Sequence, residues 1–138
     1  MFLTLILLVL AGVLLAHCSG GGGSKSTAPN WAMMMLKEIN KYRTPGEEIV
    51  YDSAIAAVAL SHAKWLQNNQ ALPDRFYQSA GAGGSTPTQR LTNASVIFIT
   101  AGETGTYTDA SVQGAYAAMN TTMLTDAAYT HVGIGVVP

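Results

Sequence analysis

Beyond position 18 the chain has no cysteine, so its folded part holds no disulfide staple and depends on a packed core. Charge is scarce as well: Asp, Glu, Lys and Arg make up 11% of the 138 residues, and the formal net charge is -1. The cations Lys25, Lys37, Lys41, Arg43, Lys64, Arg75 and Arg90 stand singly. Without a basic cluster or an aromatic-studded basic stripe, a nucleic-acid surface is excluded. The glycine-rich stretch "SAGAGGSTPTQRL" contains neither a Walker Gly-Lys-Ser/Thr nor a GxGxxG, so it reads as a loop and not as a phosphate cradle.

What is present is apolar. Abundant Ala, Val, Ile and Met exclude disorder over most of the chain. About 110 residues beyond the N-terminal segment are enough for a single domain with a core of its own. That segment, "FLTLILLVLAGVLLA", carries no charge, and none appears before Lys25. It falls short of the roughly 20 residues that span a bilayer as a helix, and its length suits a signal-peptide core. Cys18 closes the run in "LLAHCSGGGGS", which resembles the lipobox of bacterial lipoproteins, with Cys18 as the lipid attachment site. Read instead as a small-x-small site, "AHC" implies ordinary secretion with cleavage after Cys18, and an uncleaved anchor is a third reading. Residues 1–18 are thus expected to be a signal peptide with a lipobox-like end, 19–29 a Gly/Ser-rich tether, and 30–138 the folded domain.

Within the domain, hydrophobic spacing predicts four helices and two strands. Asn30 is a candidate N-cap for a helix carrying Trp31, Met35, Leu36, Ile39 and Tyr42 on one stripe and ended by Pro45-Gly46. The run Met33–Met35 reads as core filling and not as a soft-metal site. Asp52 caps a second helix whose face comprises Ile55, Ala59, His62, Ala63 and Leu66, flanked by Val58 and Trp65. Thr86-Pro87 opens a short helix with proline at its first position. "SVIFITAG" reads as a strand. Asp109 is a candidate cap for a final helix with Val112, Tyr116, Met119 and Met123 at helical spacing. In the closing strand "YTHVGIGVV", alternation sets Thr130, Val132, Ile134 and Val136 on one face. Tyr129, His131, Gly133, Gly135 and Val137 take the other, where the two glycines imply that something large packs closely.

Four of these stretches, "LKEINKYR", "VYDSAIAAVALSHAKWL", "GGSTPTQRL" and "AYTHVGIGVV", resemble in order the motifs of the CAP superfamily: cysteine-rich secretory proteins, antigen 5 and pathogenesis-related proteins. The similarity is greatest to the short bacterial members. It implies an α+β fold, a three-layer α-β-α sandwich with a small antiparallel sheet between helices. Many members hold a divalent metal in a cleft of two histidines and two acidic residues. Here the stretch after the second helix, "NNQALPDRFYQSAG", has no histidine, and neither has "AAMNTTML" after Tyr116. His62 and His131 match positions outside that tetrad and read as structural. Glu103 could correspond to the first cleft glutamate, although aligning "FITAG" with the family's Ile-Ala-x-Gly turn puts Ile97 there instead. Family members usually continue past this closing strand into another one, which leaves an exposed edge expected at Val132–Val137.

The leading expectation is therefore an exported, membrane-tethered, non-catalytic CAP-like domain with no metal, cofactor or catalytic residues. It would bind an unidentified ligand or protein partner, as a cell-envelope lipoprotein or a secreted protein. The alternatives are an atypical hydrolase or metal-dependent enzyme with a cleft around Glu103, His62 and His131, and a structural lipoprotein without a specific ligand.

Overall fold

The computed structural model describes residues 4–12, 30–69, 86–108 and 111–137. Cys18, the tether at 19–29, Asp109 and most of the stretch between the second and third helices lie outside the described residues. The fold is mixed α+β. In chain order the elements are β1 (Thr4–Gly12), α1 (Asn30–Asn40), β2 (Val50–Tyr51), α2 (Ser53–Asn68), α3 (Pro87–Asn93), β3 (Thr100–Thr108), α4 (Val112–Ala118), α5 (Thr121–Thr125) and β4 (His131–Val137).

The four strands form one sheet in the order β2-β4-β1-β3. β1 runs antiparallel to β3 from Thr4↔Thr108 to Gly12↔Thr100, and antiparallel to β4 from Leu5↔Val137 to Ala11↔His131. Two expectations change here. The inner edge of β4 is not exposed: residues 4–12, read from sequence as part of a leader, pair along it. The physical reason is that an apolar run without charges fits a strand with neighbours on both sides, where every backbone N–H and C=O can be paired. The sheet is also not purely antiparallel, because β2 pairs parallel with β4 through Val50↔His131 and Tyr51↔Val132. β2 feeds directly into α2, which lies against β4 and β1, and the chain reaches β4 only after α3, β3, α4 and α5, far longer than the roughly dozen residues that parallel pairing requires.

Local signals place α2 and α3 as the sequence predicts. The Asp52 carboxylate accepts from the Ala54 and Ile55 N–H groups at 2.8 and 2.9 Å, while the Asp52 N–H donates to the Val132 carbonyl at 2.9 Å. The cap is therefore bound to the sheet. Thr86 accepts from the Gln89 N–H at 3.2 Å, with Pro87 as the first residue of α3. On α2, Ile55, Val58, Ala59, His62, Ala63 and Leu66 are buried.

α1 begins at Asn30 itself and ends at Asn40, before Pro45-Gly46. The Asn40 side chain explains the earlier stop: it accepts from the Ile49 N–H at 2.9 Å and donates to the Ile49 carbonyl at 3.1 Å, folding the following chain back. Arg43 fixes the same turn. Its guanidinium donates to the Glu47, Leu124 and Tyr129 carbonyls, each at 2.8 Å, joining the loop before β2 to the end of α5 and the approach to β4. Among the three consecutive methionines only Met35 is buried.

The expected strand "SVIFITAG" begins later, at Thr100. Val96 and Phe98 pack on the core while Ile97 and Ile99 are exposed, so the alternation is real, but no neighbouring strand pairs with it. The expected final helix is two. Met119 is extended and Asn120 caps α5, its side chain accepting from the Met123 N–H at 3.1 Å and its own N–H donating to Thr104 Oγ1 at 3.0 Å. That last bond ties the break to β3.

Alternate residues of β4 join different clusters. Val132 and Ile134 pack with Met35 and Ile39 of α1 and Ala115 and Tyr116 of α4. Val137 packs with Ala63 and Leu66 of α2, and Gly133 and Gly135 meet the backbone of α2. The close approach implied by the paired glycines is thus made by this helix.

Candidate functional site

The fully buried His62 projects from the face of α2 that packs on the sheet, with its ring stacked 6.2 Å from that of Trp65, one helical turn on. Glu103 lies in β3 between Gly102 and Thr104, and its side chain is as buried as that of His62. These two members of the expected cleft do come together: His62 Nε2 stands 3.8 Å from Glu103 Oε2. That separation is an electrostatic contact and too long for a hydrogen bond.

The third member of the cluster is Arg90, from α3, whose Nη2 donates to the same carboxylate oxygen. The Thr86-Pro87 start of α3 sets its register, placing Arg90 and Leu91 inward while Thr88 and Gln89 face solvent. Sequence reasoning missed this residue. The available signal was a lone arginine beside an apolar residue in a short capped helix, and its partner lies 13 positions away beyond an irregular segment. Glu103 Oε1 has no hydrogen-bond partner among the described residues.

Burial pushes the Glu103 carboxyl up to about 7, even though the Arg90 charge and hydrogen bond pull it down. Desolvation outweighs one guanidinium because only one carboxylate oxygen is compensated. The cluster can therefore gain or lose a proton near neutrality, but the side chains of all three residues are sealed from solvent, and a substrate would have to displace packing to touch them.

His131 does not join the cluster. It opens β4 opposite Val50 of β2, half-buried, with Thr130 Oγ1 2.9 Å from its Nδ1. Among the described residues no group of three or more His, Cys, Asp or Glu side chains is placed to hold a metal ion. The cleft drawn around Glu103, His62 and His131 is thus reduced to its first two members, with a cation where a further ligand would stand.

Beside the cluster a groove of about 510 Å³ runs between α2 and α3, lined by Ala54, Ala57, Val58 and Ser61 on one side and Arg90 and Asn93 on the other. Small side chains on α2 leave the space open, and Arg90 links its wall to the buried carboxylate behind. The groove is mainly apolar, with Ser61 and Asn93 as its polar side chains.

No family model, curated protein or solved structure matches the chain. The site must be interpreted from its own geometry.

Proposed function

We propose that this chain is an exported CAP-like domain, a three-layer α-β-α sandwich held at a membrane surface by lipid on Cys18, that works as a non-catalytic binding module. The observation that carries the reading is the division of labour around β3. The ionisable residues Arg90, Glu103 and His62 are enclosed and satisfy one another in part, while the accessible space next to them is lined by small and apolar groups. Enzymes present their acid, base or nucleophile to a cavity; here the cavity presents mostly methyl groups. The groove between α2 and α3 is the surface on which a ligand or protein partner would sit. The four motif stretches that carry the family resemblance also gather around one sheet, with α2 laid on β4, which agrees with the same reading. Nucleic acid is not a partner, given a net charge of -1 and no basic patch.

The metal-dependent alternative draws on one observation, the 3.8 Å approach of His62 to Glu103. Two protein ligands beside a guanidinium are a poor zinc site, which wants three or four N, O or S donors. Calorimetric titration of the purified chain with zinc at neutral pH separates the two readings. No stoichiometric binding is expected. One zinc bound at micromolar affinity and lost in His62→Ala would replace the binding module with an enzyme.

A further inference from the structure

The place of β1 in the sheet has a consequence for the N-terminal run. All five helices and the strands β2, β3 and β4 come from residues 30–137. Among the described residues β1 is the one element from outside that span, yet it occupies an inner position and is the only strand that links β4 and β3. Taking it away would break no connection within 30–137, and would leave two facing strand edges with unpaired N–H and C=O groups along Thr100–Thr108 and His131–Val137. The gap is one strand wide. Its register is continuous on both sides: Leu7 pairs with Gly135 and Gly105, and Val9 with Gly133 and Glu103. The occupant is nine residues without a charge, "TLILLVLAG".

The same nine residues lie within the run whose length and apolarity suit a signal-peptide core, a segment that enters the membrane during export. The two fates need different backbones. In the sheet the segment is extended and its hydrogen bonds run to β3 and β4; in lipid a single segment must satisfy its own backbone as a helix. It therefore cannot occupy both. We propose that the space between β3 and β4 is a strand-binding slot whose ligand is an extended apolar segment, filled in the unprocessed chain by residues 4–12 of the same molecule and vacated when those residues enter a membrane. This rests on the backbone pairing of the sheet and does not depend on the binding-module reading.

Hydrogen exchange on the full chain in solution, free of lipid and detergent, tests it without a substitution. Amides of residues 5–11 should exchange at least about tenfold more slowly than in an unstructured peptide, as inner-strand amides do. Exchange there at free-peptide rates, with 132–136 still protected, would overturn the proposal. A second measurement asks whether the strand is held as a ligand. With a protease site inserted in the Gly-Ser tract at 19–24, the cut N-terminal fragment should co-elute with the remainder at the mass of one chain, and Leu8→Pro should release it, because proline cannot serve an inner strand. Separation of the fragment from the cut parent chain, whether or not the remainder stays folded, would overturn it. Co-elution at twice the mass would overturn it too, since it would assign the strand to a second copy.

Discussion

Gly133→Ala is the sharpest test of how α2 sits on the sheet. A methyl carbon built on Gly133 would lie 2.1 Å from the Ile55 carbonyl carbon, 2.2 Å from the Ala56 nitrogen and 2.5 Å from the Ile55 oxygen. All three are backbone atoms of the first turn of α2, so no side-chain rotation relieves the clash. Carbon contacts need about 3.5 Å, so the helix would have to lift by more than about 1 Å. It is not free to lift, because the Asp52 cap that starts it is bonded to the Val132 carbonyl, one residue from the substitution, at 2.9 Å. Overpacking a rigid site costs about 1–3 kcal/mol, and disturbing a cap costs about 1 kcal/mol more. A loss of about 3 kcal/mol or above is expected, or roughly 10 °C in Tm for a domain of this size. Urea unfolding followed by far-UV circular dichroism measures it, with an unchanged m value showing that the transition is the same. Gly135→Ala should behave alike, since its methyl would meet the Ala59 carbonyl carbon at 2.4 Å. Gly46→Ala is the control: nothing lies within 4 Å of the added carbon, and only its φ of 90° resists, so about 1 kcal/mol is expected. If both strand variants fell within about 0.5 kcal/mol of the parent, the contact between α2 and β4 as described here would be wrong.

Four further outcomes can be checked. Leu66→Ala removes a side chain that is 4% exposed and packed with Ala63 and Val137, and should cost roughly 2–5 kcal/mol in the same unfolding assay. Because burial raises the Glu103 carboxyl from 4.5 to about 7, the folded chain binds its proton more tightly than the unfolded chain does. Stability should therefore fall as pH rises through that window, by roughly 1–3 kcal/mol, and Glu103→Gln should flatten the slope measured by denaturation at several pH values. Arg90→Leu should cost about 3–5 kcal/mol at pH near 8, where it strands a buried carboxylate, and less at pH near 5, where Glu103 can take up a proton. In a bacterial host with lipoprotein processing, mass spectrometry of the mature N-terminus should find a diacylglycerol adduct on Cys18 that is absent in Cys18→Ser; an unmodified chain beginning at Ser19 would point to ordinary secretion.

The features legible in the sequence are those whose causes lie within a few residues of one another. Asp52 caps α2 because its carboxylate reaches N–H groups two and three positions on, and Thr86-Pro87 starts α3 in the same way. The buried face of α2 follows from helical periodicity, and the two faces of β4 from the alternation of a strand, down to the glycines that admit a helix backbone. The candidate site was only half visible. His62 could be placed in the core and Glu103 named, but their approach depends on how α2 lies on the sheet, and Arg90 reaches the carboxylate from α3, which no spacing rule encodes. His131 stayed apart because the parallel pairing of β2 with β4 holds it opposite Val50.

The N-terminal run shows where sequence stops and tertiary structure begins. A segment that is apolar at nearly every position has no period, so it is equally suited to a leader, a buried helix or an inner strand. Its own residues determine only that it must leave water. In the folded chain the choice is made by β3 and β4, whose facing edges lie one strand apart; the run becomes β1 because there, among the described residues, both sides of its backbone find partners.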